Sequence, residues 1–341
     1  MGVGCDRCVL SLVGQIGTLS YMTKASTPGK IILFGEHAVV YGRPALAVPV
    51  TQVHVDVEVL DSDRAGIWIS ASDVNLDAEL NTFPSDHPIA SVIHNLLFIA
   101  RNFPSPQGRG VRGEGKFPNL DIKISSTIPV ASGLGSGAAV TVALTRALSS
   151  HLKHEMNDEE ISAFAYEIEK LYHGTPSGID NTVVTYRQPV YFVKGQPIEM
   201  FKVGKPFTIV IGDTGILAPT KESVADVHQL WMNNTKRFEG IFNEIADISF
   251  SARRVLEEGR VEMLGTLMDK NHALLQEMTV SSPELDQLVS AARNAGAAGA
   301  KLSGGGRGGN MIALVEHEKA EEVASALMTA GAKRTLITTV S

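Results

Sequence analysis

The sequence has little of what would indicate a disulfide scaffold, a nucleic-acid binder or a membrane protein. Its two cysteines, Cys5 and Cys8, cannot form a disulfide framework, and one CxxC pair supplies only two of the four ligands of a structural zinc ion. So few cysteines favour a reducing compartment. The 37 acidic residues outnumber the 30 basic ones, which argues against nucleic acid or an anionic membrane as the main partner. No apolar run reaches the roughly 18 residues that a membrane-spanning helix needs.

The N-terminal segment also lacks the pattern of a secretory signal. Residues 9–19 are apolar but short, and Asp6 stands beside Arg7 where a basic flank is expected. We therefore predict a cytoplasmic protein. Regular hydrophobic patterning starts at Met22, so residues 1–21 are expected to form a disordered extension outside the fold.

The remaining chain is long enough for two domains and, with 44% hydrophobic residues, can bury a sizeable core. Hydrophobic periodicity indicates a strand-rich first half and a helix-rich second half closed by strands, an order typical of an α+β fold in two lobes. The predicted strands are 30–34, 53–60, 120–125, 182–186, 190–193, 207–212, 300–302, 310–315 and 334–340. The predicted helices are 87–101, 136–152, 157–172 and 318–330, with a helical pattern also from 219 to about 295, interrupted near 233, 259 and 283.

The first of three glycine-bearing segments follows a predicted strand and opens a predicted helix. Its GxGxG spacing lets the backbone approach a ligand closely, and the helix N-terminus adds a positive dipole, which is typical of a phosphate-binding loop. It is neither a Walker A loop nor a Rossmann fingerprint. A tight strand-to-helix turn fits the same spacing. The residues are Pro129, Val130, Ala131, Ser132, Gly133, Leu134, Gly135, Ser136, Gly137, Ala138 and Ala139.

The other two glycine-bearing segments carry charged side chains near predicted strands. Lys30 opens the strand at 30–34, and Glu36 and His37 follow it, a placement that suits either a binding site or solvated strand ends with a core histidine. The segment KLSGGGRGGN at 301–310 spells GxGxxG but precedes a predicted strand, so it fails the context of a dinucleotide-binding fingerprint. A hairpin loop between two strands is its alternative interpretation.

Two acidic residues complete a set that suits phosphoryl transfer. Glu169 lies on the flank of the apolar stripe of the helix at 157–172, where its carboxylate can reach inward. Asp180 ends the turn HGTPSGID, just before the strand predicted at 182–186. Taken alone, Glu169 fits a solvated charge on a helix surface, and Asp180 fits a residue that caps a turn. With the first glycine segment and Lys30, they supply the charge neutralisation, metal ligand and hydroxyl-orienting acid that phosphoryl transfer needs.

These segments resemble the GHMP kinases, the family of galactokinase, homoserine kinase, mevalonate kinase and phosphomevalonate kinase. The strings PGKIILFGEHAVVYG at 28–42, PVASGLGSGAA at 129–139, EKLYHGTPSGIDN at 169–181 and KLSGGGRGGN at 301–310 occur in the family's order. GEHAVVYG is most similar to the mevalonate kinases, because galactokinases continue differently after GEH.

The resemblance implies an enzyme that uses ATP and Mg²⁺ to phosphorylate the 5-hydroxyl of mevalonate in isoprenoid biosynthesis. It also implies an N-terminal ribosomal-S5-like lobe, residues 22–200, that binds ATP and substrate, and a C-terminal ferredoxin-like lobe, residues 201–341. By the same resemblance Asp180 is the catalytic base with Lys30 beside it, and residues 133–139 wrap the ATP phosphates. The implied metal ligands are Ser136 and Glu169, and the implied mevalonate contacts are Glu36 and His37.

Two positions depart from the family pattern. Members often read GLGSSAA, where this chain has Gly137, so Ser136 is left as the hydroxyl for the metal. The last loop usually reads GAGGGG followed by cysteine, whereas here it reads GGGRGGN, and Arg307 brings a bulky side chain into a loop built for close backbone approach. Either an added phosphate contact or a weaker loop would follow.

Two alternative functions stay open. A kinase for phosphomevalonate is the nearer one, although GEHAVVYG lacks the basic residues that a second phosphate would need. A non-catalytic ATP-binding sensor is the other, but it would have no need for both Glu169 and Asp180. A homodimer is compatible with the sequence.

Overall fold

The computed structural model describes residues 21–84, 86–102, 118–129, 132–173, 176–217 and 220–341. Residues 1–20 of the predicted extension lie outside that range. The strands are β1 Met22–Phe34, β2 Ala45–Asp61, β3 Ile67–Ala71, β4 Leu76–Glu79, β5 Leu120–Ser126, β6 Val190–Phe192, β7 Glu199–Met200, β8 Phe207–Asp213, β9 Gly299–Ser303, β10 Asn310–Val315 and β11 Arg334–Val340. The helices are α1 Pro88–Asn102, α2 Ser136–His151, α3 Asp158–His173, α4 Ile179–Tyr186, α5 Thr220–Asn233, α6 Thr235–Glu257, α7 Leu264–Glu277, α8 Pro283–Asn294 and α9 Ala320–Thr329. The predicted α+β class is confirmed.

Elements with a clear local pattern form where the sequence predicts them. Along β2 the valines at 55, 57 and 59 are fully buried while their neighbours are partly exposed, as the alternation predicts. At the start of α3, the Asn157 backbone N–H donates to Glu160 Oε2 at 2.8 Å, and the Glu160 N–H donates to Asn157 Oδ1 at 3.0 Å. This reciprocal capping box fixes the first turn of the helix.

The predicted strand at 182–186 is wrong, because these residues belong to helix α4. The β-branched run Thr182–Thr185 favours a strand locally. In the structure, however, Gly178 adopts a φ of 90° before the helix, and Ile179 and Val183 share one buried helical face. Burial of that face outweighs the weak local preference. Asp180 therefore lies in the first turn of a helix rather than before a strand.

The chain divides into two compact units, each built from separate segments of sequence. The first comprises described residues of 21–28, Val53–Ile128 and Gly137–Pro176. In it β5 pairs antiparallel with β2 and parallel with β3, and β3 pairs antiparallel with β4. The predicted lobe boundary at residue 200 stays a prediction.

The second unit comprises Gly29–Gln52, Pro129–Ser136 and Ser177–Ser341. Its main sheet is antiparallel in the order β11-β8-β10-β9. Every residue of β8, β9 and β10 is buried. Helices α7 and α8 pack on β9, and α9 packs on β8 and β11. Lys30, residues 132–136, residues 304–309 and Asp180 all belong to this unit.

Among the described helices, none combines the length and the apolar character that crossing a bilayer requires.

Candidate active site

Lys30 and Asp180, predicted as catalytic partners, form an ion pair. Lys30 Nζ lies 3.0 Å from Asp180 Oδ1. The lysine side chain is only 6% exposed, whereas the aspartate side chain is 33% exposed. One oxygen of the carboxylate therefore meets a fixed cation while the group keeps access to solvent and to a bound molecule. This arrangement can orient a hydroxyl and balance the charge that develops when its proton is taken.

Helix α4 fixes the position of Asp180. Ile179 and Val183 pack into a hydrophobic cluster with Val39, Val190 and other residues, which anchors one face of the helix. Thr182 Oγ1 donates to the Gly178 carbonyl at 2.7 Å and ties the first turn down. Asp180 follows directly after the anchored Ile179, so its backbone has little freedom.

The first glycine segment forms a loop over Lys30. We call residues 132–136 the glycine loop; Val130 and Ala131 lie outside the described residues. Gly133 and Gly135 have φ values of 74° and 76°, which side chains with a Cβ rarely adopt. A Cβ on Gly135 would lie 2.9 Å from Lys30 Cγ, so only glycine lets the backbone approach the lysine this closely. Helix α2 begins at Ser136, as predicted, with Gly137, Ala138 and Ala139 in its first turn.

Glu36, predicted to contact substrate, lies inside the protein in a buried ion pair. Its carboxylate accepts from Lys301 Nζ, and both side chains have 0% exposure. Asn271 Nδ2 donates to the other carboxylate oxygen at 3.2 Å. Burial lowers the pKa of Lys301, and the Glu36 carboxylate opposes that shift. Removing one partner of such a pair leaves the other charge buried and unpaired, which typically lowers the free energy of unfolding by about 3–5 kcal/mol.

His37 is held between the end of β1 and the last glycine segment. Its Nε2 lies 3.0 Å from the Gly305 carbonyl, so this nitrogen must carry the proton. Nδ1 is buried and has no hydrogen-bond partner among the described residues. Burial, which is the main cause, lowers the pKa of His37 to about 4, so the ring is neutral at pH 7. Its φ of 58° is strained for a side chain with a Cβ, a feature that often marks functional sites.

The last glycine segment is a hairpin loop, and it is held in place rather than loose. We call residues 304–309 the β9–β10 loop. The Arg307 N–H donates to the Val280 carbonyl at 2.8 Å, and the Gly309 N–H donates to the Ile216 carbonyl at 3.0 Å. The Arg307 guanidinium pairs with Asp226 of α5 and donates to the Thr279 carbonyl at 3.3 Å. These contacts give the Arg307 guanidinium partners within the protein, so its position needs no bound phosphate.

Glu169, the predicted metal ligand, is half-buried in α3 of the first unit. No group of three or more His, Cys, Asp or Glu side chains suited to a metal occurs in the part of the chain that the structure describes. That is compatible with Mg²⁺, which usually takes one or two protein groups and completes its shell with phosphates and water. The roles of Glu169 and of Ser136 toward a metal stay predictions.

Three residues of this region were not singled out from the sequence. Asn271 and Lys301 hold Glu36, and Asn310 donates from Nδ2 to the Ser132 carbonyl of the glycine loop. Lys301 and Asn310 are the first and last letters of KLSGGGRGGN, so the string contained them. In the sequence, the feature that could have identified Lys301 and Asn310 is a polar residue within, or at the start of, a predicted apolar strand.

Two family models match the chain, the GHMP kinases N terminal domain over residues 100–188 and the GHMP kinases C terminal domain over residues 252–333. The chain is 37% identical over 326 residues to the mevalonate kinase of Thermococcus gammatolerans, covering 90% of this chain and 93% of that protein. It is 38% identical over 313 residues to the mevalonate kinase of Pyrococcus abyssi, covering 90% and 92%. The crystal structure of L. major mevalonate kinase in complex with R-mevalonate matches with a TM-score of 0.79 and 27% identity, covering 99% of each chain. From its motifs, its fold and these relatives, the chain belongs to the GHMP kinase family.

Proposed function

We propose that this GHMP kinase transfers the γ-phosphoryl group of ATP to the 5-hydroxyl of mevalonate, which gives 5-phosphomevalonate and ADP for isoprenoid biosynthesis. The observation that carries the proposal is the 3.0 Å pair of Lys30 and Asp180, in a chain whose relatives at 37% and 38% identity are mevalonate kinases. We also propose a cytoplasmic location, on the basis of the low cysteine content.

Asp180 acts as the base in this proposal. Its carboxylate accepts the proton of the substrate hydroxyl while the oxygen of that hydroxyl forms a bond to the γ-phosphorus and the bond from phosphorus to ADP breaks. Lys30, 3.0 Å away, holds the carboxylate in one orientation and supplies positive charge near the transferring group. Both side chains belong to well-packed elements, so the pair is in place before substrate binds.

The glycine loop supports ATP as the co-substrate in this proposal, and Mg²⁺ is carried over from the family resemblance. The glycine loop has positive φ values at Gly133 and Gly135 and leads into helix α2 at Ser136. Backbone N–H groups in such a loop and at a helix N-terminus are of the kind that bind phosphates. By that resemblance, Ser136 and Glu169 are the residues proposed as metal ligands. When bound, Mg²⁺ would neutralise charge on the phosphate oxygens.

The segment with Glu36 and His37 forms the mevalonate side of the site in this proposal. The Glu36 carboxylate is engaged by Lys301 and Asn271, so we assign it to holding the segment in place beside the substrate. His37 uses its N–H on Gly305. Its remaining Nδ1 can only accept a hydrogen bond, so it suits a hydroxyl of mevalonate and not the carboxylate.

The test is an ADP-release assay over mevalonate, phosphomevalonate, homoserine and galactose, with the product identified by mass spectrometry. We expect turnover with mevalonate and little with the other three. Preferential turnover of phosphomevalonate would favour the sister kinase. ATP binding without turnover of any of the four would favour a non-catalytic sensor, and either result would overturn the proposal.

A further inference from the structure

Asn310 links the β9–β10 hairpin to the glycine loop. Its side chain is buried, with the residue 2% exposed, and Nδ2 donates to the backbone carbonyl of Ser132. Its Oδ1 has no hydrogen-bond partner among the described residues. A buried amide is costly unless it is paired. The hydrogen bond to the Ser132 carbonyl offsets part of that cost for the Asn310 side chain. The two residues are 178 positions apart in sequence.

The backbone of Asn310 is fixed from both sides. It is the first residue of β10, which runs between β8 and β9, and it lies opposite Asp213 on one strand and Ser303 on the other. Ser303 in turn donates from Oγ to the Ile32 carbonyl of β1 at 2.7 Å. One end of the hairpin therefore holds the strand that carries Lys30, and it holds the glycine loop as well.

A second hydrogen bond holds the glycine loop two residues further along. The Lys30 N–H donates to the Leu134 carbonyl at 2.9 Å. In a trans peptide unit the carbonyl and the following N–H point in opposite directions. Because the Ser132 carbonyl points at Asn310, the Gly133 N–H points away from it. By the same geometry the Gly135 N–H points away from the Lys30 backbone.

We infer that Asn310 is a positioning residue for nucleotide binding, an inference that rests on the proposed function. By holding the Ser132 carbonyl, it turns the Gly133 N–H outward as a donor for an ATP phosphate. The family pattern has cysteine at this place, and a thiol is a much weaker donor than an amide. Asn310 thus gives this chain its own support for the glycine loop.

The experiment replaces Asn310 by cysteine, the residue of the family pattern, and by alanine, with Asn294→Ala on the exposed end of α8 as the matched control. We expect Asn310→Cys and Asn310→Ala to raise the Kd for ATP by about fivefold to a hundredfold, since a donor is lost and its buried partner is left unpaired. The KM for mevalonate and the properties of Asn294→Ala should stay within about twofold of the parent chain. Equilibrium titration with ATP and Mg²⁺ gives the Kd.

A second readout needs no nucleotide. Amide hydrogen exchange at residues 133–135 should become faster in Asn310→Cys and stay the same in Asn294→Ala. An unchanged Kd and unchanged exchange in a folded Asn310→Cys chain would overturn the inference. So would equal rises in the Kd for ATP and the KM for mevalonate, which would indicate general damage. Failure of the parent chain to phosphorylate mevalonate would count against the proposed function, while the exchange measurement would still decide the positioning.

Discussion

Single side chains of the second unit divide into those that are available for chemistry and those whose hydrogen bonds are already used. The Asp180 carboxylate is one-third exposed and pairs with Lys30. Glu36, by contrast, has no exposed surface and is held by Lys301 and Asn271. Both are acids close to a lysine, and burial separates their roles. The Asp180 carboxylate is open to a bound molecule, whereas both oxygens of Glu36 are already engaged within the protein.

Replacing Asp180 by asparagine should lower kcat by about 10²–10⁴-fold, the usual contribution of a general base. Asparagine keeps the shape of the side chain but cannot take a proton. ATP binding should survive, because the glycine loop and not Asp180 is proposed to hold the phosphates. Steady-state turnover and nucleotide titration on the same protein check this, with Asp247→Asn on the exposed face of α6 as the control. A kcat within about tenfold of the parent would remove Asp180 from the base role.

Replacing Glu169 by glutamine should raise the Mg²⁺ concentration that gives half-maximal rate, because an amide oxygen is a weaker ligand for a hard cation than a carboxylate. Glu167→Gln is a matched control on the same helix, where Glu167 is exposed and pairs with Lys170 at 2.6 Å. The measurement is initial rate against Mg²⁺ at fixed ATP. If the rate collapses and the Mg²⁺ dependence stays the same, Glu169 has another role.

Replacing His37 by glutamine distinguishes the roles of its two ring nitrogens. Glutamine has an N–H₂ group that can reach the Gly305 carbonyl, but it has nothing in the place of Nδ1. We expect the KM for mevalonate to rise about tenfold, the scale of one lost hydrogen bond, with little change in the KM for ATP. Initial rates with each substrate varied in turn check this. Equal effects on both constants, or a large fall in Tm, would make His37 a structural core histidine.

Among the elements, the β9–β10 hairpin depends on glycine at two particular positions. Gly304 and Gly306 both have positive φ values, 90° and 74°. A Cβ on Gly306 would lie 1.9 Å from the Val280 carbonyl oxygen, while a Cβ on Gly304 would meet nothing within 4 Å. The two glycines therefore allow backbone strain to be separated from steric conflict.

Gly304→Ala should lower the free energy of unfolding by about 1–2 kcal/mol, the cost of a left-handed conformation for a residue with a Cβ. Gly306→Ala should lower it by about 1–3 kcal/mol more, because the Val280 backbone has to move. Urea unfolding of both variants gives the two values. Equal losses would mean that the loop can move away from Val280 at no cost.

The elements also show what could be predicted from sequence. Alternation along β2, the capping box of α3 and the strand at β10 depend on near neighbours, so their patterns were sufficient. Helix α4 was missed because its β-branched residues favour a strand and the burial of Ile179 and Val183 overrides them. The Lys30–Asp180 ion pair is expected from the family resemblance rather than from spacing. The Glu36–Lys301 pair joins residues 265 positions apart, and no local pattern encodes such a partner.

For the whole molecule, buried histidines make stability depend on pH. Burial lowers the pKa of both His37 and His272 to about 4, against about 6.5 for an unfolded chain. Between these values the unfolded state binds more protons than the folded state. The contribution of these two histidines to the free energy of unfolding is therefore fully present above about pH 6.5. It falls as the pH drops toward 4, by up to about 1.4 kcal/mol per pH unit for each histidine.

Replacing His272 by glutamine should make this pH dependence less steep, since one titrating group is removed. Leu288→Ala, a change at another buried site, is a control that should lower stability by the same amount at every pH. Denaturant unfolding at about pH 5 and at about pH 7 measures the slope. An unchanged slope in His272→Gln would show that other groups cause the acid sensitivity.

The contacts of the β9–β10 hairpin affect how the chain can fold during synthesis. Glu36 leaves the ribosome 265 residues before its partner Lys301, and Ser132 leaves 178 residues before Asn310. Until the hairpin emerges, the Glu36 carboxylate and the Ser132 carbonyl lack the partners that they have in the folded chain. Contacts this distant in sequence form late and slowly. A nascent chain should therefore complete the support of its glycine loop in one late step, and fragments that stop before residue 299 should depend on chaperones.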